Sequence, residues 1–140
     1  MSTLTSIDVL DLLGLPWKAG GRMVEGRLPL RGIDCWGVVV EVRRRAGLWT
    51  PDPWGCGPQP VEIHPDGLPE TFTRHLVARP SPIAYCALKM RSAWPGGHAA
   101  VYLPDRSVLQ THQHAGVVRH PLWRVERNLL ACYDFTGGPA

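Results

Sequence analysis

Apolar positions recur at two different rhythms along this chain. Val38, Val39, Val42 and Ala46 return at three- and four-residue spacing, which predicts an α-helix over residues 35–46 with one apolar face. Asp34 precedes it as a good N-cap residue, Arg43, Arg44 and Arg45 read as charges suited to the negative end of the helix, and Gly47 stops it. A shorter pattern, Ile7, Leu10 (with Val9) and Leu13, predicts a helix over 5–13, capped by Thr5 or Ser6 and ended by Gly14. A third helix is expected over 68–77, with Pro69 in its first turn. The remainder reads as strands, over 83–90, 98–103, 107–111, 116–119 and 129–135. Pro104-Asp105-Arg106 turns the second of these into the third as a hairpin. Segments 15–32 and 48–66 are rich in Gly, Pro and Trp and read as ordered loops. Helices first and strands afterwards indicate an α+β fold, a helix packed on a mostly antiparallel sheet.

The 140 residues suit one domain, 1–140, with one hydrophobic core, and no repeat or linker divides them. The net charge of +3 is scattered, and no basic stripe is interleaved with aromatics, so nucleic acid is not an expected partner. A weak positive field still suits docking on an anionic polymer. No stretch has the length of a membrane span, and Met1 to Asp8 lack the basic start of a secretory signal. Four cysteines show no paired framework. Cys86 and Cys132 sit in apolar runs and read as reduced core residues, and Cys56, between two glycines, as a loop thiol.

Cys35 is different, because Asp34 as N-cap puts it at the first helical position. Backbone N–H groups and the positive end of the helix dipole favour an anion there, so a thiolate is stabilised. The same N–H groups can hold the oxyanion of a tetrahedral intermediate. Position alone thus makes Cys35 a candidate nucleophile, which needs a base. His98 opens an apolar strand just after Trp94-Pro95-Gly96-Gly97, where a side chain can face a cleft. A third polar residue orienting His98 must share its face of the sheet. Side chains alternate with period two, so Gln110, His112 and His114 pass this test while Thr111 and Gln113 do not. Parity leaves the three open. The run His112-Gln113-His114, with His120 nearby, offers alternating ligand side chains, but no pair has the spacing of a zinc motif, so neither metal nor cofactor is expected.

Three segments, in order, resemble the NlpC-type cell-wall peptidases, a papain-like family. Gly32-Ile33-Asp34-Cys35-Trp36-Gly37-Val38-Val39 resembles the family's nucleophile motif at the start of its central helix. Leu13-Gly14-Leu15-Pro16-Trp17-Lys18-Ala19-Gly20-Gly21 resembles its upstream Gly-x-Pro-Tyr-x-x-Gly-Gly stretch. His98-Ala99-Ala100-Val101-Tyr102-Leu103 resembles the strand that bears the base. The resemblance covers about residues 12–118 and implies the papain-like fold, with Cys35 as nucleophile and His98 as base. It implies Gln110, twelve positions after His98, as the third residue. It also implies Asp34, Trp17 and Trp36 as candidates for substrate or oxyanion contacts. Trp17 stands where the family has Tyr, and Trp36, like Trp49, reads equally as packing. The implied activity is cleavage of peptide bonds in peptidoglycan stems, typically between D-γ-glutamate and the diamino acid. Compact members with Asp-Cys-Trp-Gly resemble those of phage tails and gene-transfer agents. Expected partners are therefore peptidoglycan and other tail-tip or hub proteins, with the protein made in the bacterial cytoplasm and carried in a virion or phage-like tail. The alternative is a structural tail-tip component that keeps the fold with weak or no activity.

Overall fold

Asp34 and Gly47 bracket the first helix as the sequence requires. In the computed structural model, which describes residues 7–18, 21, 32–52, 74–91, 98–112 and 114–136, helix α1 spans Cys35–Arg45. Gly47 adopts φ +78°, Gly47 N–H donates to Arg44 O at 3.0 Å, and Leu48 N–H donates to Arg43 O at 2.8 Å. This pair of bonds satisfies the last carbonyls of the helix and turns the chain away.

Six strands follow: β1 (Leu76–Arg79), β2 (Ala87–Met90), β3 (His98–Tyr102), β4 (Ser107–His112), β5 (Gly116–Pro121) and β6 (Leu129–Phe135). They form one antiparallel sheet in the order β1-β6-β2-β3-β4-β5. A one-turn helix α2 (Leu122–Val125) and a 3-10 turn (Glu126–Asn128), neither expected from the sequence, carry the chain from the β5 edge back to the middle of the sheet. The architecture is mixed α+β, as the order of sequence patterns indicates.

Strand alternation sorts the core into two layers. Ala87, Val101, Leu103, Leu109 and Val117 pack with Val38, Val39 and Val42 of α1, together with Val9 and Leu12. On the other face, Leu88, Met90, Ala100, Tyr102 and Val108 pack with Cys86 and Cys132 under Leu122, Val125 and Leu129. Cys86 and Cys132 are buried free thiols, as their apolar runs predict, and burial pushes the Cys86 thiol up to about 11.

Three local expectations are corrected. Among residues 7–14 the chain makes no α-helix but a succession of tight turns, with Leu12 N–H bonded to Val9 O and Leu15 N–H to Leu12 O. Asp8 Oδ1 accepts from Leu10 N–H at 2.9 Å, so a local Asx turn competes with helix initiation. Val9 and Leu12 are buried while Leu10 and Leu13 are exposed, the reverse of the helical stripe. The predicted helix over 68–77 ends in strand instead. Leu76 and Val77 pair with Phe135 and Asp134, and a ladder partner overrides the weak helical pattern. The rest of that segment lies outside the described residues. The strand predicted over 83–90 begins only at Ala87, because Tyr85 takes φ +66° and Cys86 N–H closes a turn on Ile83 O at 3.0 Å.

The largest departure concerns Arg43, Arg44 and Arg45, which are more than charges at a helix end. Arg43 is 2% exposed. Its Nε donates to Thr50 Oγ1 at 2.7 Å, Nη1 to Tyr85 O at 2.7 Å and Nη2 to Trp49 O at 3.1 Å. Asp134 lies 3.3 Å away, and the Phe135 ring sits 5.0 Å under the guanidinium carbon. Arg44 and Arg45 both clamp buried Glu41, and Arg45 also forks onto Asp11 at 2.6 and 2.7 Å. A buried guanidinium fixes position through its fork geometry, and removing it strands its partners without water. Arg43→Ala is therefore expected to destabilise the fold by about 3–5 kcal/mol, and urea denaturation of the variant checks this. Arg44→Ala, on an exposed side chain, is expected to cost about 1 kcal/mol or less.

Candidate active site

The mouth of α1 is built by backbone contacts that need glycine. Trp17 and Ile33 form a parallel bridge, with Ile33 N–H donating to Pro16 O at 2.9 Å and Lys18 N–H donating to Ile33 O at 3.2 Å. Gly32 sits at φ +129°, and a Cβ there would lie 2.2 Å from Pro16 O. The same strip of chain is anchored to β5, where Val117 exchanges bonds with Gly14 N–H and Leu15 O, each at 2.9 Å. Segments 14–18 and 32–34 thus carry the helix start to the end of the sheet where β5 begins. His112 pairs with Gly116 at that same end, and β3 starts there with His98.

Asp34 is extended (φ −96°, ψ −179°), and its Oδ1 accepts from Gly37 N–H at 2.8 Å. Its carbonyl takes the first helical bond, from Val38 N–H at 3.1 Å. The N-cap expected from the sequence is therefore present, and Cys35, half-buried, is the first helical residue.

His98 Nε2 lies 2.9 Å from Gln110 Oε1. An amide oxygen only accepts, so Nε2 carries the proton and Nδ1 holds the lone pair. Gln110 is 5% exposed, so this orienting bond is shielded from water. Burial holds the His98 imidazole below the usual histidine range. The Gln110 bond opposes this and the neighbouring His112 adds to it. In the neutral ring the Gln110 bond fixes the tautomer and leaves the basic nitrogen turned away from Gln110.

The three residues left open by parity now separate. Gln110 binds His98, His112 stacks on it with ring centroids 6.0 Å apart and planes 21° apart, and His114 lies exposed in the turn beyond β4. All of His98, Gln110 and His112 share the parity of Ala100 and Tyr102, on the sheet face opposite the layer that α1 covers. Among the described residues, His98 makes its hydrogen bond to Gln110 and none to Cys35. The ring and the helix start therefore share an end of the sheet, and an approach between them runs around that end. Catalytic hydrogen bonds are often long before substrate binds.

Trp17 is half-buried beside Ile33 in the strip next to the helix start. Trp36 is a core residue. It is 5% exposed, its indole N–H donates to Pro51 O at 2.9 Å, and its ring meets the Phe135 ring at 5.9 Å and 82°. That corrects its candidacy for substrate contact, because its single donor is directed into the fold. Trp49 packs edge-on against His75 at 4.8 Å. Cys56, Trp54, Trp94 and His64 lie outside the described residues. Among the described residues, no group of three or more His, Cys, Asp or Glu is placed to hold a metal ion, and no helix is long and apolar enough to cross a membrane. No family model matches the chain, and no curated protein matches it.

Parity kept Gln110 among three candidates and the family resemblance singled it out, but sequence reasoning gave Arg43 too little weight and His112 no specific partner. The signal for Arg43 was its place three and four residues on from the apolar pattern: Trp36, Val39 and Arg43 share one helix face. For the site itself, nitrogen-detected NMR is expected to show His98 protonated at Nε2 when neutral. Its titration midpoint is expected below 6.5. Gln110→Ala removes the bond that favours the protonated ring, so the midpoint should fall further; an upward shift would contradict the assignment.

Proposed function

We propose that the protein is a thiol hydrolase of the NlpC-type, papain-like cell-wall peptidase family, cleaving peptide bonds in peptidoglycan stems. The reading is carried by the His98–Gln110 hydrogen bond. It is the base–orienter half of a Cys-His-Gln constellation, with the free imidazole nitrogen at the same end of the sheet as an Asp34-capped helix that begins with Cys35. The segments resembling the family motifs supply these residues in the family's order.

In this mechanism His98 Nδ1 takes the thiol proton and the Cys35 sulfur attacks the amide carbonyl carbon. First-turn N–H groups of α1, Cys35's among them, stabilise the oxyanion. The tetrahedral intermediate collapses, the C–N bond breaks, and the leaving amine departs with the proton from His98. Water, deprotonated by His98, then attacks the thioester, releasing the carboxylate and restoring the thiol. Gln110 holds the ring throughout but carries no charge, so it orients the imidazolium more than it stabilises it. Asp34 immediately precedes Cys35 and Trp17 bridges Ile33 beside the helix start, and both are proposed to contact substrate. The setting that fits is a phage-like tail tip that delivers the enzyme to the wall, with tail or hub proteins as neighbours.

A second reading is a structural tail-tip component with weak or no activity. The observation that favours it is the parity of His98 and Gln110, which sets them on the face away from α1. One experiment separates the two. Iodoacetamide near neutral pH is expected to label Cys35 faster than a free model thiol, and His98→Ala is expected to slow this. Purified peptidoglycan is expected to yield new free amines, with Cys35→Ala abolishing release and His98→Ala reducing it by about 10²–10⁴-fold. Labelling at the rate of a free thiol, or undiminished digestion by Cys35→Ala, sinks the hydrolase reading.

A further inference from the structure

The crossing from β5 back to β6 buries one side of itself and leaves the other bare. Leu122, Val125 and Leu129 pack under the sheet with Leu88, Met90 and Cys132. Trp123, between the first two, is 76% exposed, and Leu130 is 50% exposed. An indole left so far in water adds little to folding, because the buried members of the segment already hold it down. A large exposed ring beside guanidinium groups is the composition of a binding surface, where Trp and Arg carry most of the energy.

The charges around Trp123 are mostly of one sign. Arg124 follows it directly and Arg127 lies in the 3-10 turn, and both are exposed. At one end of the crossing Leu122 N–H donates to Arg106 O at 2.9 Å, and at the other Arg91 N–H donates to Asn128 O at 2.7 Å. These bonds set two further exposed arginines, Arg106 and Arg91, at the two ends of the segment. Glu126 is the one carboxylate between Leu122 and Leu130. Asp105, beside Arg106, is already held by Arg119. Among the described residues, none of Arg91, Arg106, Arg124 and Arg127 forms an ion pair.

The surface also leads toward the proposed base. The crossing starts after Pro121, which pairs with Ser107, and it ends at Leu129, which pairs with Met90. Met90 pairs in turn with His98. The segment therefore traverses the sheet face that shares the parity of His98 and finishes at the corner where that strand begins.

We propose that this crossing is a docking track for a polysaccharide strand that carries carboxylates, as peptidoglycan does, and that it leads the strand toward His98. The direction of travel rests on the hydrolase reading, while the docking itself is a property of the surface. The indole of Trp123 stacks on the C–H face of a sugar ring, and the arginines pair with carboxylates along the strand. Nucleic acid is the poorer fit, because it stacks successive bases on several aromatic platforms and this segment carries one.

The test uses the intact chain with Cys35→Ala, so that no turnover intervenes, and measures co-sedimentation with purified insoluble peptidoglycan. Trp123→Ala is expected to weaken binding about tenfold or more, at an unchanged melting temperature. Arg124→Gln combined with Arg127→Gln is expected to weaken binding and to flatten its loss as salt is added. Peptidoglycan with its carboxylates chemically amidated is expected to bind the Cys35→Ala chain more weakly than the native wall does. Undiminished binding in both variants, or equal affinity for single-stranded DNA, overturns the proposal. With Cys35 intact, the loss that Trp123→Ala causes on whole wall is expected in KM, and a loss confined to kcat counts against a docking role. Wall binding that depends on Trp123 in a protein that never digests wall sinks the hydrolase reading and leaves the docking track standing.

Discussion

A cation sealed inside the core sets the terms for the rest of this fold. Arg43 holds together pieces that are far apart in sequence: the chain after α1 at Trp49 and Thr50, the turn at Tyr85 and the end of β6 at Asp134 and Phe135. A lone guanidinium in such a place would be prohibitively costly, and only full hydrogen bonding makes it tolerable. Each partner must therefore be in place for the others to be. The helix cannot slide or rotate on the sheet without breaking several charge-assisted bonds at once. Arg45, Glu41 and Asp11 repeat the arrangement on the adjacent side and tie the helix to the turns before it.

The opposite end of α1 is fixed by different means. There the constraints are backbone to backbone, between 14–18, 32–34 and the start of β5, with glycine where two chains approach too closely for a side chain. A helix pinned at its C-terminal half by side chains and at its start by main chain presents its first residue in a reproducible position. That is the condition an attacking group needs, since displacement by an ångström or so is costly for catalysis. The imidazole opposite is held equally firmly, by a buried amide on one edge and a ring on its face. Rigidity on both sides leaves little adjustment except at the end of the sheet.

How much of this was legible depended on the range of the forces involved. The N-cap at Asp34, the stop at Gly47 and the hairpin of β3 and β4 follow from local chemistry, and the sequence carries local chemistry openly. The parity of strands reduced the candidates for a partner of His98 to Gln110, His112 and His114, and that was its limit. Choosing among them takes the register and the twist, which are set by the whole sheet. The turns at 7–14 and the strand at Leu76 escaped because short apolar patterns fit two periods, and Asp8 in one case and the β6 ladder in the other decided the outcome. Arg43 escaped for a further reason. Composition marks arginine as a surface residue, and only the assembled fold brings Thr50, Trp49, Tyr85 and Asp134 around one guanidinium in the interior.

The pairing of Val117 with Gly14 and Leu15 has an effect beyond holding the helix start. Antiparallel geometry turns Val117, Arg119 and Pro121 outward along the free side of β5. The first is already bonded to the N-terminal strip, and the last has no N–H to offer. Among the described residues of that margin, only Arg119 retains both main-chain groups and an unfilled outward position, and its bulky cation sits folded over the turn onto Ser107 and Asp105. Two molecules meeting along this margin would find almost nothing to zip together. The sheet is thereby guarded against growing into a fibre from that side, at whatever density the protein accumulates.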